Sequence, residues 1–186
     1  MAMYYELSMS ESDDEWVLTG MENYPDGTVV DIWSFNKCIA VDDNRHVPFH
    51  VELEGRRVDF NPTAFGACVV SQRLAKLIER MSPDGIQLVP AIVSNDPDSW
   101  AVLNILSCVN CIDFPRSSIQ YFPSAHTRAG QIRGITSLCI QAQKVGENHI
   151  FHPTGWPFKT IVSKDMMQAM STMQATGVQY IPVQTS

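Results

Sequence analysis

The first 36 residues contain no lysine or arginine, although they hold eight acids: Glu6, Glu11, Asp13, Asp14, Glu15, Glu22, Asp26 and Asp31. That absence removes the basic start of a secretory signal, and no apolar h-region follows in "MAMYYELSMSESDDEW". No apolar run approaches the roughly 20 residues that a membrane-spanning helix needs. The expected compartment is therefore the cytoplasm. The five cysteines (Cys38, Cys68, Cys108, Cys111 and Cys139) are odd in number and scattered through apolar runs. This is the pattern of reduced, buried thiols and not of a disulfide framework. At 186 residues the chain is long enough to bury a self-sufficient core. A single domain is expected over 1–186, with 1–48 an acidic N-terminal part and 49–186 the core.

The formal net charge of −7 sits wholly in that first fifth, because the remainder holds twelve acids and thirteen bases. Such a field repels nucleic acid and attracts a basic protein, raising association rates more than final affinity. Glu11, Asp13, Asp14, Glu15, Glu22, Asp26 and Asp31 are accordingly candidate docking residues. Trp16 and Tyr24, among them, are candidate anchors, since Trp and Tyr dominate interface hot spots. Trp33 lies in an apolar stretch and is expected in the core. The alternative for the acids is a solubilising face.

Helical signals are few, and two of them are copies. "VVSQRLAKLIERMSPDGIQLVPA" (69–91) and "IVSKDMMQAMSTMQATGVQYIPV" (161–183) share one grammar at an offset of ninety-two residues. Ser71 and Ser163 stand as N-caps. Leu74, Leu77, Ile78 and Met81, then Met166, Met167, Met170 and Met173, mark one helical face each. Gly85 and Gly177 end the helices with freedom to take positive φ, and a strand follows. The only other shared polar residues are Gln87 and Gln179, so the repetition reads as packing grammar and not as two ligand sites. Strands are expected at 3–7, 28–35, 99–110, 117–122, 135–145, 149–151 and 160–162, with a hairpin over 49–60 turning at Glu54-Gly55. Strands outnumber helices. The expected fold is α+β, a mixed and mostly antiparallel sheet with two repeated cap–helix–Gly–strand units packed on it.

Catalytic motifs are missing. There is no P-loop, dinucleotide fingerprint, nucleophile elbow or His-Glu-x-x-His. The residue set nearest to a metal centre is Cys108 and Cys111 with His149 and His152, two thiolates and two imidazoles in principle sufficient for zinc. Both pairs sit in strand-like runs, where residues three apart point to opposite faces. The alternative function is thus a small cytosolic enzyme or zinc-binding domain built on these four. Asp59 and Asp113, at strand ends, read as turn carboxylates accepting from backbone N–H groups, with Ser117 beside the second. No catalytic residue, metal or cofactor is assigned, and oligomeric state is left open.

The ordered phrases "VDF", "VSQRLAKLIE", "IQLVPAIV", "WAVLNILSCVNCIDFPRS", "IF", "IVSKDMMQAM" and "TGVQYIPV", over about 50–183, together resemble a bacterial family. It is a myxobacterial-type family, formerly a domain of unknown function, of immunity proteins from polymorphic toxin systems. The resemblance implies a non-enzymatic cytoplasmic protein that binds a cognate toxin effector of bacterial competition and secretion systems. It also implies recurrent polar positions at Asp59, Ser71, Asp113, Ser117 and Ser163. His152 departs from the pattern, which places Arg after Ile-Phe. The toxin partner would carry a basic surface; nucleic acid and membrane are not expected partners.

Overall fold

Short apolar runs punctuated by Gly, Pro and Asp give the described residues many strands and two α-helices. A computed structural model describes residues 3–20, 23–42, 45–63 and 66–186. Along the chain run β1 (Tyr4–Met9), β2 (Val17–Gly20), a 3-10 helix (Ile32–Asn36), β3 (Val47–Leu53), β4 (Phe60–Pro62) and β5 (Cys68–Ser71). Then come α1 (Gln72–Met81), β6 (Ile86–Val93), β7 (Trp100–Ile105), β8 (Cys108–Val109), β9 (Ser118–Tyr121) and β10 (Ile132–Ser137). The last are β11 (Cys139–Ile140), β12 (Ile150–Pro153), β13 (Thr160–Ser163), α2 (Lys164–Thr172), β14 (Val178–Pro182) and β15 (Gln184–Thr185).

The fold is α+β and its strand pairs are mostly antiparallel; the parallel ones are β3–β6, β8–β12 and β11–β15. The strands form two large sheets where one was expected. A six-stranded sheet has the order β2-β3-β6-β7-β5-β4, and a five-stranded sheet the order β14-β1-β13-β12-β8. β9 and β10 pair only with each other.

Period-two alternation explains how the sheets stack. On β7, Ala101, Leu103 and Ile105 face one way and Trp100 and Val102 the other. The first set joins Leu74, Leu77 and Ile78 of α1, Met166 and Met170 of α2, and Leu7, Ile150 and Val162 of the second sheet in one cluster. Both helices therefore lie between the sheets. The outer face of the six-stranded sheet is covered by the N-terminal segment through Trp16, Tyr24, Val30 and Phe35. Tyr4, Phe151 and Ile161 form a third cluster with Cys111, Ile112 and Ile140 on the far side of the other sheet. The first residues are integral to this arrangement, since β1 lies between β14 and β13.

Each helix starts at a serine: Ser71 Oγ accepts from Leu74 N (3.4 Å) and Ser163 Oγ from Met166 N (3.2 Å). Losing such a cap costs about 1 kcal/mol. Past that point the two segments diverge. β6 is an inner strand of one sheet and β14 the edge of the other. The side chain of Gln87 brackets the backbone of Val41, donating to its O (2.8 Å) and accepting from its N (2.9 Å), while Gln179 is exposed. Gly177 has φ +78°, whereas Gly85 does not adopt positive φ. Gly85 serves a close approach instead: its carbonyl accepts from both Leu106 N (2.9 Å) and Ser107 N (3.2 Å), and an added Cβ would lie 2.9 Å from Ser107 Oγ.

That junction is where the expected strand 99–110 breaks. The chain leaves the six-stranded sheet after Ile105 and re-enters the other one as β8, so β7 and β8 are different strands. The run 135–145 likewise divides into the end of β10, β11 and a 3-10 turn over Ala142–Lys144. The expected hairpin over 49–60 does not form, because β3 pairs with β2 and β6, and β4 with β5. Gly55 instead packs against the backbone of Asp14–Trp16, its Cβ position 2.5 Å from the Glu15 carbonyl carbon. Residues 28–35 are no strand. Ser34 N and Ser34 Oγ both donate to Asp31 O, which winds the segment into the 3-10 helix.

Candidate functional site

The acids of the N-terminal part reach the surface with unequal freedom. Glu11 and Asp13 are exposed, and neither forms an ion pair among the described residues. Arg56 draws in two others, with Nη2 2.8 Å from Glu15 and Nε 3.6 Å from Asp14. Asp26 accepts from Thr28 N (2.9 Å) and Thr28 Oγ1 (2.6 Å) and pairs with Arg45 at 3.1 Å; Asp31 pairs with Lys37 at 3.2 Å. The Ser12 hydroxyl, and behind it Arg56, hold Asp14 below the usual carboxylate range. Thr28, and then Arg45, do the same for Asp26. Glu22 lies outside the described residues.

The aromatics exchange the places expected of them. Trp16 is buried: its Nε1–H donates to Asn61 Oδ1 at 2.6 Å and its ring lies 5.3 Å from that of Trp100. Tyr24 is buried too, with the Arg45 guanidinium 3.7 Å above its ring. Neither can serve as a docking anchor without unpacking the second core. Trp33 is 51% exposed. In the 3-10 helix Phe35 and Asn36 turn inward, and Trp33 turns out with Val29 and Ile39 nearby in sequence, 76% and 64% exposed. Apolar groups set among Asp26 and Asp31 make the acidic stretch a mixed surface, the composition typical of an interface.

Asp59 is more than a turn carboxylate. Its side chain accepts from Ser71 Oγ (2.6 Å), Arg73 Nε (2.6 Å) and Nη2, Thr176 N (2.9 Å) and Thr176 Oγ1 (2.9 Å). Arg73 goes on to donate to the carbonyls of Met173 (3.1 Å) and Gln174 (3.2 Å). One carboxylate thus ties β4, the start of α1 and the connection from α2 to β14. Burial alone would raise its pKa, but the donors from Arg73, Ser71 and Thr176 outweigh it and bring Asp59 down to about 2. It lines a groove of about 670 Å³ with Arg57, Asp98 and Trp100. Arg57 pairs there with Asp96 (2.8 Å) and Asp98. Ser71 Oγ is committed to Asp59 and Leu74 N, and no histidine lines the groove. Its charges are occupied with each other, and the carboxylate beside the Ser71 hydroxyl, Asp59, is held by Arg73 and Thr176 and brought down to about 2.

The four Cys and His side chains do not converge. The parallel pairing of β8 with β12 sets Cys108 opposite His152, yet Cys108 is exposed while Cys111 is buried. His152 is buried with Nδ1 3.0 Å from Lys159 O, and burial lowers its pKa. His149 Nδ1 is 2.8 Å from Ser163 Oγ. Among the described residues no three His, Cys, Asp or Glu side chains are grouped to hold a metal ion. Burial also pushes the Cys111 thiol up to about 11 and Cys38 up to about 12, away from reactive thiolates. Asp113 differs from its expected role: its backbone carbonyl, not its side chain, accepts from Arg116 N (3.2 Å) and Ser117 N (2.9 Å). Ser117 Oγ accepts from Cys139 N (3.0 Å) and donates to Cys139 O (3.1 Å), fastening β11.

Buried Asp59, Asn61 and His152 are thus turned to structural hydrogen bonds, while apolar and charged side chains are mixed on the outside of the N-terminal part. Comparison with protein families gives the class: the chain belongs to the Immunity protein family (Imm11), whose model matches residues 9–185. The match takes in most of the acidic stretch, well beyond the 50–183 over which the resemblance is legible by eye. No curated protein matches the sequence. No helix among the described residues is long and apolar enough to cross a membrane.

Proposed function

We propose that this protein binds and neutralises a cognate toxin in the cytoplasm of the cell that carries both, or of its kin, as part of a polymorphic toxin system. Membership of the immunity family over 9–185 is the observation that carries this reading. The work is binding and not catalysis. The toxin meets the acidic stretch: Glu11, Asp13, Asp14 and Glu15, with Asp26 and Asp31 beside the exposed Trp33, which replaces Trp16 and Tyr24 as anchor. Glu22 belongs to the same stretch. The toxin's facing surface is basic, and an interface of about 800 Å² per partner is the expected size.

The test is co-expression with the toxin encoded by the neighbouring gene. Rescue of growth and a purified one-to-one complex are expected. Changing Asp13, Asp14 and Glu15 together to Lys slows association about tenfold or more at low salt and flattens its salt dependence. A toxin that kills despite co-expression and forms no complex refutes the reading; unchanged association kinetics remove the acidic stretch from the interface.

A further inference from the structure

From residue 114 to residue 146 the chain has no acid at all, yet it carries Arg116, Arg128, Arg133 and Lys144, all exposed. Much of this stretch is the β9–β10 hairpin, which stands apart from both large sheets. Ile119, Ile132 and Ile135 root it on the third core. Its tip, residues 123–131, is exposed throughout. The tip is nonetheless ordered by its own bonds: Phe122 N donates to Gln131 O (3.0 Å), Gln131 N to Arg128 O (3.0 Å), and Arg128 N to His126 Nδ1 (3.0 Å). The Phe122 ring stacks on His126 at 4.4 Å, with the Arg128 guanidinium 4.5 Å from the Phe122 ring centroid. Tyr121 is half exposed at the base. A loop this exposed contributes little burial, and a loop already ordered by its own bonds loses less entropy on docking.

Charge decides what docks. The Arg133 side chain has no hydrogen bond or ion pair among the described residues, and the Arg128 guanidinium is held only by Gln131 Oε1 (3.1 Å) and the ring. Asp14, Glu15, Asp26 and Asp31 are already paired with Arg56, Arg45 and Lys37 of the same chain, so a second copy has Glu11 and Asp13 as its unpaired acids among the described residues of that stretch. A net charge of −7 opposes nucleic acid as a whole. We propose that the β9–β10 hairpin is a second docking element, through which Arg128, braced on the Phe122 ring, and Arg133 receive an acidic surface patch of the toxin. The chain then presents opposite charges at two separate elements, and its toxin must present the reverse pair. This rests on the toxin-binding reading and adds the chemistry of a second contact.

The experiment uses the full chain and its R128E/R133E double variant, with thermal unfolding as the control for folding. Two probes are titrated at low salt: the neighbouring-gene toxin and a fluorescent deca-glutamate peptide. Both should bind the wild type, and the variant should bind each about tenfold or more weakly, the difference shrinking in high salt. An unfolded variant is replaced by R128Q/R133Q, for which a smaller loss in the same direction is expected. Equal affinity of a folded variant for both probes overturns the proposal. So does tighter binding of a twelve-residue oligothymidylate than of the peptide, or a concentration-dependent oligomer that the charge reversal abolishes. If the toxin fails to bind the wild type while the peptide binds through the arginines, the immunity reading falls and the acid-binding hairpin stands.

Discussion

Replacing Asp59 by Asn keeps the shape of the side chain and removes its charge, and the structure sets both the size and the pH dependence of the effect. In the folded protein Asp59 titrates at about 2, against 3.8 ordinarily. That gap corresponds to roughly 2.4 kcal/mol favouring the ionised, folded form. The side chain of Arg73 is 54% exposed, so solvent screens part of this, and about 1–2 kcal/mol is the better expectation. The depressed pKa makes the contribution complete above the unfolded value near 4 and progressively lost as pH falls toward 2. The Asn variant should therefore be less stable than wild type by about 1–2 kcal/mol at pH 7, the gap narrowing from pH 5 to pH 3 as Asp59 of the unfolded wild-type chain takes up its proton. Urea unfolding at four pH values measures it, and at pH 7 the melting temperature should fall by about 2–8 °C. A gap below about 0.5 kcal/mol at pH 7, or one constant down to pH 3, would refute the idea that an ionised Asp59 holds the two sheets and helices in register.

Three further outcomes follow from the packing. G177A should destabilise by about 2–4 kcal/mol in denaturant unfolding, because φ is +78° and the new Cβ would lie 2.6 Å from both Phe60 O and Val58 Cγ2. W16A should cost about 3–5 kcal/mol by opening the second core, whereas W33A should leave stability nearly unchanged while weakening the toxin complex; the reverse ranking would return Trp16 to the interface. Alkylation at pH 8, followed by mass spectrometry, should label the exposed Cys108 first and leave Cys38 and Cys111 largely unmodified, with pKa values of about 12 and 11.

Some of this architecture is legible in neighbouring residues. Ser71 and Ser163 cap their helices because the acceptor and its N–H donor are three residues apart, and such a bond is decided locally. The apolar run of β7 reads as a strand because both its faces are buried, and that of β6 because Val89, Ala91 and Val93 alternate inward against exposed Pro90 and Ile92. The resemblance to immunity proteins likewise rests on ordered phrases that need no coordinates.

Everything that depends on which distant segment covers a face was invisible until the chain closed. Val29, Ile32 and Trp33 carry strand-like side chains, but they lie in no strand of either sheet, and the Asp31–Ser34 bonds wind the segment so that Trp33 turns outward while Ile32 packs on the second core. Trp16 is inside only because Asn61 and Trp100, 45 and 84 positions away, meet it there. Asp59 gathers partners 12, 14 and 117 residues along, so no local pattern marks it as a hub. The basic hairpin could have been found from its lack of acids alone; its isolation from both sheets could not. Caps, periodicity and charge are properties of short stretches and belong to the sequence. Exposure belongs to the folded molecule, since it is set by elements that meet across the whole chain.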